Sequence, residues 1–347
     1  MVGAHEVDQN ALTFTPDYAA ALRHFRAQPG YQPSPLHHVS GPAGITVMIK
    51  DETNRMGLGA FKALGGPYAI AGLLSDAWTA DTGEAPLHGS ASRAFASKHT
   101  FVTASAGNHG IGVAAGAKAA GAHARIYLAE TVPEAFDARL TGHGAEVVRA
   151  GATYEASIAA AIEDTEKTGA TLLADGTWPG YTEIPKRVME GYTVIAEELR
   201  AHFETDGAWP SHVYVQAGVG GLAAAMAHMI RQSWTVQPDI IIVEPEAAPC
   251  LKASHAAGRP VAVSGPVSEM GRLDCKDPSI VAFETLERCD VRYITLSEDE
   301  GAQAAHELQR LGIATTPSGA AGFGGLAKDG QVSPDHHPLI IATERAG

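Results

Sequence analysis

Residues Phe101 to Leu128 read FVTASAGNHGIGVAAGAKAAGAHARIYL, and the fold class turns on this stretch. Phe101-Val-Thr-Ala104 is short and β-branched, as strands are. Gly110 to Ala120 is an Ala-rich helical run, and Ala124-Arg-Ile-Tyr-Leu128 returns to strand character. Strand, glycine-bearing turn, helix and second strand make one unit of a parallel sheet, whose neighbouring strands need a helical crossover.

The same alternation runs outward from it. Pro133 to Leu140 reads as helix, Ala145-Glu-Val-Val-Arg149 as strand, and Tyr154 to Thr168 as a helix ended by Gly169. In the second half, His212 to Gln216 is a strand, Leu222 to Gln232 a helix, and Ile240 to Val243 apolar enough for a strand buried on both faces. Ile294 and Leu296 open another strand. Asp299 to Leu311 and Ala320 to Leu326 read as helices, and Leu339-Ile-Ile-Ala342 as a terminal strand. The expected class is α/β, with two lobes, each an open, mostly parallel twisted sheet covered by helices. Asp76 to His99 is polar, Gly- and Ser-bearing, and expected to be the loop where one lobe hands over to the other.

Composition narrows the function classes. A formal charge of −14, from 25 basic and 39 acidic residues, with no Lys/Arg run, argues against nucleic acid or an anionic membrane surface as partner. The longest apolar stretch, Ala223 to Ile230, is interrupted by His228 and falls far short of a membrane span. Met1 to Gln9 has neither the basic start nor the apolar core of a secretory signal, so a cytoplasmic protein is expected. Cys250, Cys275 and Cys289 cannot all pair and form no CxxC, which points to reduced, mostly buried thiols. Sixteen histidines show no ligand spacing, and no metal site is expected.

Four segments carry chemistry. Lys50-Asp-Glu-Thr-Asn-Arg-Met-Gly-Leu-Gly-Ala-Phe-Lys62 follows the strand-like Ile45 to Ile49 and sets Lys62 in the first turns of a helix running through Tyr68 to Leu74. Shelter from Phe61 and Leu64 disfavours the ammonium and leaves the amine available to attack a carbonyl; an isolated lysine on a helix would instead be read as solvated. Thr103-Ala-Ser105-Ala106-Gly107-Asn108-His109-Gly110 lies where a strand turns into a helix, so backbone N–H groups and the positive helix end converge, as an anion requires. An ordinary N-cap by Ser105 or Asn108 is the plainer reading. Gly218-Val219-Gly220-Gly221-Leu222 follows a strand and opens a helix, leaving room for a phosphate. The full G-x-G-x-x-G spacing with its later acidic partner, which would favour a nicotinamide dinucleotide, is not met. Finally, Leu173-Ala-Asp175-Gly-Thr-Trp178 presents Asp175 either as an acid/base or as a simple turn aspartate.

Taken together, the Lys62 segment resembles the cofactor-lysine motif of fold-type II, tryptophan-synthase-β-like, pyridoxal-phosphate (PLP) enzymes, and most closely that of the diaminopropionate ammonia-lyases. The resemblance runs from about Thr46 to Thr343. It implies PLP as cofactor, joined to Lys62 with Phe61 beside it, its phosphate on Gly218 to Leu222 and its pyridine nitrogen facing Thr343. Lys50, Asp51 and Arg55 become structural members of the loop. Ser105, Ala106, Gly107, Asn108 and His109 become the loop for the substrate carboxylate, with Asn108 also near the cofactor's phenolic oxygen and His109 structural. Asp175 becomes the base at Cα, with Lys62 as the substitute. The implied domains are 1–85 with 190–347, binding PLP, and a smaller 86–189; the implied assembly is a homodimer.

The implied reaction is β-elimination from a small L-amino acid such as 2,3-diaminopropionate, serine, threonine or 3-hydroxyaspartate, giving a keto acid and ammonia. A β-replacement synthase or a silent PLP/amino-acid sensor are the alternatives. Three departures bear on substrate. Ala106 stands where the ammonia-lyases carry a second aspartate, which turns the expectation toward L-substrates, and Pro317 stands where an acidic residue is frequent. Met270-Gly-Arg272-Leu-Asp274-Cys275-Lys276-Asp277 departs from the small neutral residues usual there. Arg272 or Lys276 is thus either a partner for a second substrate carboxylate or part of an ion-paired surface loop.

Overall fold

The computed structural model describes residues 9–83 and 90–346. Residues 1–8, over which no secretory signal was expected, and 84–89, part of the expected handover loop, lie outside the described residues. Ten strands occur among those described: β1 (Leu36–Ser40), β2 (Thr46–Asp51), β3 (Thr100–Thr103), β4 (His123–Leu128), β5 (Glu146–Arg149), β6 (Thr171–Leu172), β7 (His212–Gln216), β8 (Asp239–Pro245), β9 (Val291–Leu296) and β10 (Pro338–Ala342).

The chain divides into two compact units. One comprises the described residues up to Phe61 and those from Gly176 onward. Its sheet runs β1-β2-β10-β7-β8-β9, parallel throughout except for β1, which pairs antiparallel with β2. The central strands are covered on both faces, which is why Val213-Tyr-Val215, Ile240 to Val243 and Leu339 to Ala342 are apolar without alternation. The second unit, Lys62–Asp175, holds the all-parallel sheet β5-β4-β3-β6, with Val102, Ala104, Tyr127 and Ala161 at its core. The architecture is α/β, as the periodicity implied.

Three local expectations change. Asp76 to Thr82 is helical, because Gly65–Thr82 is one helix ended by Gly83 in the left-handed conformation, and Ser90–Ala96 is a further helix. Lys62 lies before that first helix, in the short 3-10 turn Phe61–Ala63, not within the helix. The borders of the units fall at 61/62 and 175/176, where 85/86 and 189/190 were expected. The reason is that the helix Gly65–Thr82 packs on the helix Asn108–Ala120 of the second unit. A long helix, Glu183–Asp206, was also unread, although its buried Val188, Tyr192, Ile195, Leu199 and Phe203 recur at helical spacing.

That helix contributes to a buried ionic cluster which holds the segment leading to Lys62. Arg55 donates from Nη1 and Nη2 to Glu198 (2.7 and 2.8 Å) and from Nε and Nη2 to Glu52 (both 2.7 Å). Lys50 Nζ donates to Glu198 at 2.6 Å and to the Ser34 carbonyl at 2.8 Å, and Tyr31 donates to Glu198 at 2.6 Å. Burial pushes the Glu198 carboxyl up, but hydrogen bonds and charge from Arg55, with Lys50, outweigh it and lower its pKa to about 2. Lys50 and Arg55 are thus structural, as the resemblance implied.

Removing one charge strands the others in the interior. Glu198→Gln is expected to cost roughly 3–5 kcal/mol, read as a shift of the urea midpoint at unchanged slope. Because its folded pKa is depressed, the stability that Glu198 contributes is present above its unfolded value of roughly 4.3. It is lost as pH falls through about 2, a window over which the wild type should weaken and the variant should not.

Candidate active site

Within the unit Lys62–Asp175, the strand β3 ends at Thr103 and the chain turns through Ser105 to Gly107 into the helix Asn108–Ala120. Its N-cap is Gly107, extended and with no side-chain cap. The plain capping role for Ser105 or Asn108 is therefore not what the turn uses; Ser105 Oγ instead accepts from the Gly107 N–H at 3.3 Å. Gly110 is required here, since a Cβ would lie 2.0 Å from the Ser105 carbonyl oxygen. An uncapped helix start of this kind favours an anion.

Lys62 Nζ donates to Asp175 Oδ2, with both side chains partly shielded. Burial pushes the Asp175 carboxyl up, and the Lys62 ammonium overrides it, holding the group far below the usual carboxylate range. The pair joins residues 113 apart in sequence, and local pattern gave no sign of it. His109 is buried beside it, with Nε2 2.8 Å from the Leu173 carbonyl and Nδ1 4.0 Å from Asp175 Oδ2. With its ring thus enclosed, any part His109 takes in carboxylate binding falls to its backbone N–H.

In the other unit, β7 runs into Gly218 to Leu222 and the helix Gly221–Ser233. Gly220 is the N-cap, at φ +103°, with no side-chain cap. A Cβ on Gly218 would meet Cys275 Sγ at 2.9 Å and the Arg272 carbonyl oxygen at 3.1 Å; one on Gly220 would meet Ala282 and Leu251 at 3.0 Å. Val219 is anchored through its carbonyl, which accepts from the Ser279 N–H at 3.0 Å. The result is a turn whose positions 218 and 220 only glycine fits, at the positive end of a helix. That is the chemistry a phosphate monoester needs, and PLP fits it.

Thr343 is buried just beyond β10, and its carbonyl accepts from the Phe61 N–H at 3.0 Å. The Phe61 ring meets Tyr192 edge-on at 4.9 Å, so backbone and ring both hold the approach to Lys62. Gln216 Nε2 lies 3.1 Å from Thr343 Oγ1 and donates to the carbonyls of Gly319 and Ile341 at 2.9 and 3.0 Å. Sequence reading missed Gln216, though a glutamine ending an apolar strand before a glycine turn is a usable signal.

Of the two basic residues in the 270–277 segment, Lys276 is fully engaged by the carbonyls of Ala247 and Pro266 and by Asp274. Arg272 is more open. Its backbone N–H donates to Ser318 Oγ at 3.1 Å, and its guanidinium has one ion-pair contact among the described residues, Nε to Glu344 at 3.6 Å. Among the described residues no helix is long and apolar enough to cross a membrane.

Comparison with known proteins agrees with this chemistry. A diaminopropionate ammonia-lyase from Escherichia coli (strain K12) is 34% identical over 330 residues, covering 90% of this chain and 82% of that protein. The one from Salmonella typhimurium (strain LT2) is 32% identical over 350 residues, covering 91% and 86%. The crystal structure of the Escherichia coli enzyme in complex with an aminoacrylate-PLP azomethine reaction intermediate superimposes with a TM-score of 0.82 at 29% identity, over 98% of this chain and 91% of that one. The chain is accordingly a PLP-dependent lyase acting by β-elimination. The family model described as pyridoxal-phosphate dependent enzyme matches residues 27–344, and the chain belongs to that family.

Proposed function

We propose that this lyase acts on L-2,3-diaminopropionate, removing the Cα proton and the β-amino group so that, after addition of one water, pyruvate and two ammonia molecules are released. The observation that carries the reading is the Lys62–Asp175 pair, an amine and an ionised carboxylate at hydrogen-bond contact in one compact unit.

Bound PLP supplies a conjugated ring that spreads the charge left at Cα. Lys62 Nζ would carry the cofactor, and the amides of Gly218 to Leu222 would hold its phosphate. Asn108 would serve its phenolic oxygen. Thr343 Oγ1 would serve the ring nitrogen; a neutral hydroxyl would leave that nitrogen largely unprotonated, and the moderate electron sink suits a reaction in which a β group departs. The amides of Ser105 to His109 bind the substrate carboxylate. Asp175 takes the Cα proton at its carboxylate, with Lys62 Nζ as the alternative base. Ala106, in place of a second acid, supports the L-configuration.

A second reading, favoured by the open guanidinium of Arg272, is a substrate with a second carboxylate, such as 3-hydroxyaspartate. The reduced thiols Cys250, Cys275 and Cys289 support a cytoplasmic setting. The assembly we assign from the resemblance is a two-fold homodimer, which sedimentation tests.

The deciding experiment measures ammonia and keto acid from L- and D-2,3-diaminopropionate, serine, threonine and 3-hydroxyaspartate, with and without an added thiol. The expected result is the highest kcat/KM on L-2,3-diaminopropionate, with two ammonia per pyruvate. A preference for 3-hydroxyaspartate lost in Arg272→Ala would establish the second reading instead. A thiol adduct as main product would make the enzyme a synthase, and substrate binding without ammonia would make it a sensor.

A further inference from the structure

We propose that His109 sets the proton affinity of Asp175, as a positioning residue that accepts a hydrogen bond from the protonated carboxyl through Nδ1. This deepens the reading above and rests on Asp175 being the Cα base.

The tautomer follows from one contact. His109 Nε2 lies 2.8 Å from the Leu173 carbonyl oxygen, which can only accept, so the ring proton sits on Nε2. The side chain is 4% exposed, and its burial pushes the imidazole pKa down, which keeps the ring neutral. Nδ1 is then a bare lone pair. It is buried and has no hydrogen-bond partner among the described residues.

Asp175 Oδ2 lies 4.0 Å from it. The charged groups acting on the ring are Asp175 and Lys62. While Asp175 is ionised and bound to Lys62, a lone pair facing a carboxylate gains nothing, and the gap remains open. Once Asp175 has taken a proton, its O–H has an acceptor already aimed at it, within a small rotation of hydrogen-bond range. Buried acceptors are rarely left unpaired without a functional reason. Here the missing partner is supplied by the other protonation state of the neighbouring carboxyl. Leu173 and Asp175 lie on one short segment, so the anchor of the ring and its client move together.

The effect is to stabilise protonated Asp175 and so raise its basicity toward Cα. His109 does not itself carry the proton, because burial opposes an imidazolium.

Two substitutions separate this role from packing. His109→Gln can keep a donor on the Leu173 carbonyl while removing the acceptor at Nδ1; His109→Asn can return an oxygen near the Nδ1 position. In the holoenzyme, with L-2,3-diaminopropionate or whichever panel substrate is turned over, His109→Gln is expected to keep its cofactor absorbance and KM. It should lose about tenfold in kcat and in Cα-proton exchange in D2O, on the scale of one hydrogen bond. The acid limb of its pH profile should move to lower pH, and His109→Asn should partly restore both. Unchanged kcat, or a loss of kcat with the acid limb unmoved, overturns the proposal. Should the variants not fold, 15N NMR of the wild-type imidazole decides: Nε2–H neutral tautomer supports it, Nδ1–H or imidazolium overturns it. Full Cα exchange in Asp175→Asn would instead remove the underlying assignment of the base, and the proposal with it.

Discussion

Lys62→Ala is expected to abolish ammonia and keto-acid release, a fall of roughly 10⁴- to 10⁶-fold of the kind seen when a covalent nucleophile is deleted. No other amine is assigned the covalent link, and the lysine is held in place by its contact with Asp175 and by the 3-10 turn it occupies. Borohydride reduction followed by peptide mass analysis checks the cause. The wild type should carry a fixed cofactor on the peptide containing residue 62, and the variant none. An adduct on a different lysine would refute the assignment even if activity were lost. The substitution has a second, independent consequence. With the ammonium gone, burial is left to act on Asp175, so its pKa should rise from its depressed value, a shift visible in the carboxyl infrared band.

Asp175→Asn is expected to lower kcat by about 10² to 10⁴, the range for removal of a general base. The amide is isosteric and can still accept from Lys62, so cofactor absorbance and substrate KM should change little. Steady-state kinetics together with Cα-proton exchange measure this directly. A variant that exchanges and eliminates at the wild-type rate would transfer the role of base to Lys62. This pair of outcomes resolves a choice that the residue pattern left open, since an aspartate before Gly176 reads equally well as a turn former.

Much of the fold was legible because it rests on short-range periodicity. The strand His212–Gln216 and the helix Tyr154–Thr168 fall where β-branched runs and a helix ended by Gly169 place them. The two glycine turns were readable for a similar reason. A turn such as Gly218 to Gly221 reflects a local demand for space, which the residues themselves display. What escaped was nonlocal. The helix Gly65–Thr82 was cut short because its polar end looks like loop, yet it packs on Asn108–Ala120, and tertiary contact overrides weak local propensity. Glu198 was invisible as a partner of Arg55, since it lies 143 residues away on a helix that carries several glutamates.

Sequence alone determined the α/β class, the candidate amine Lys62 and the two glycine-bearing turns, because each depends on residues adjacent in the chain. Tertiary structure decided that Asp175 sits against Lys62, that His109 offers it an unpaired nitrogen, and that Lys276 is engaged while Arg272 stays open. These depend on distances between residues far apart in the chain, and such distances exist only once the sheets and helices have packed.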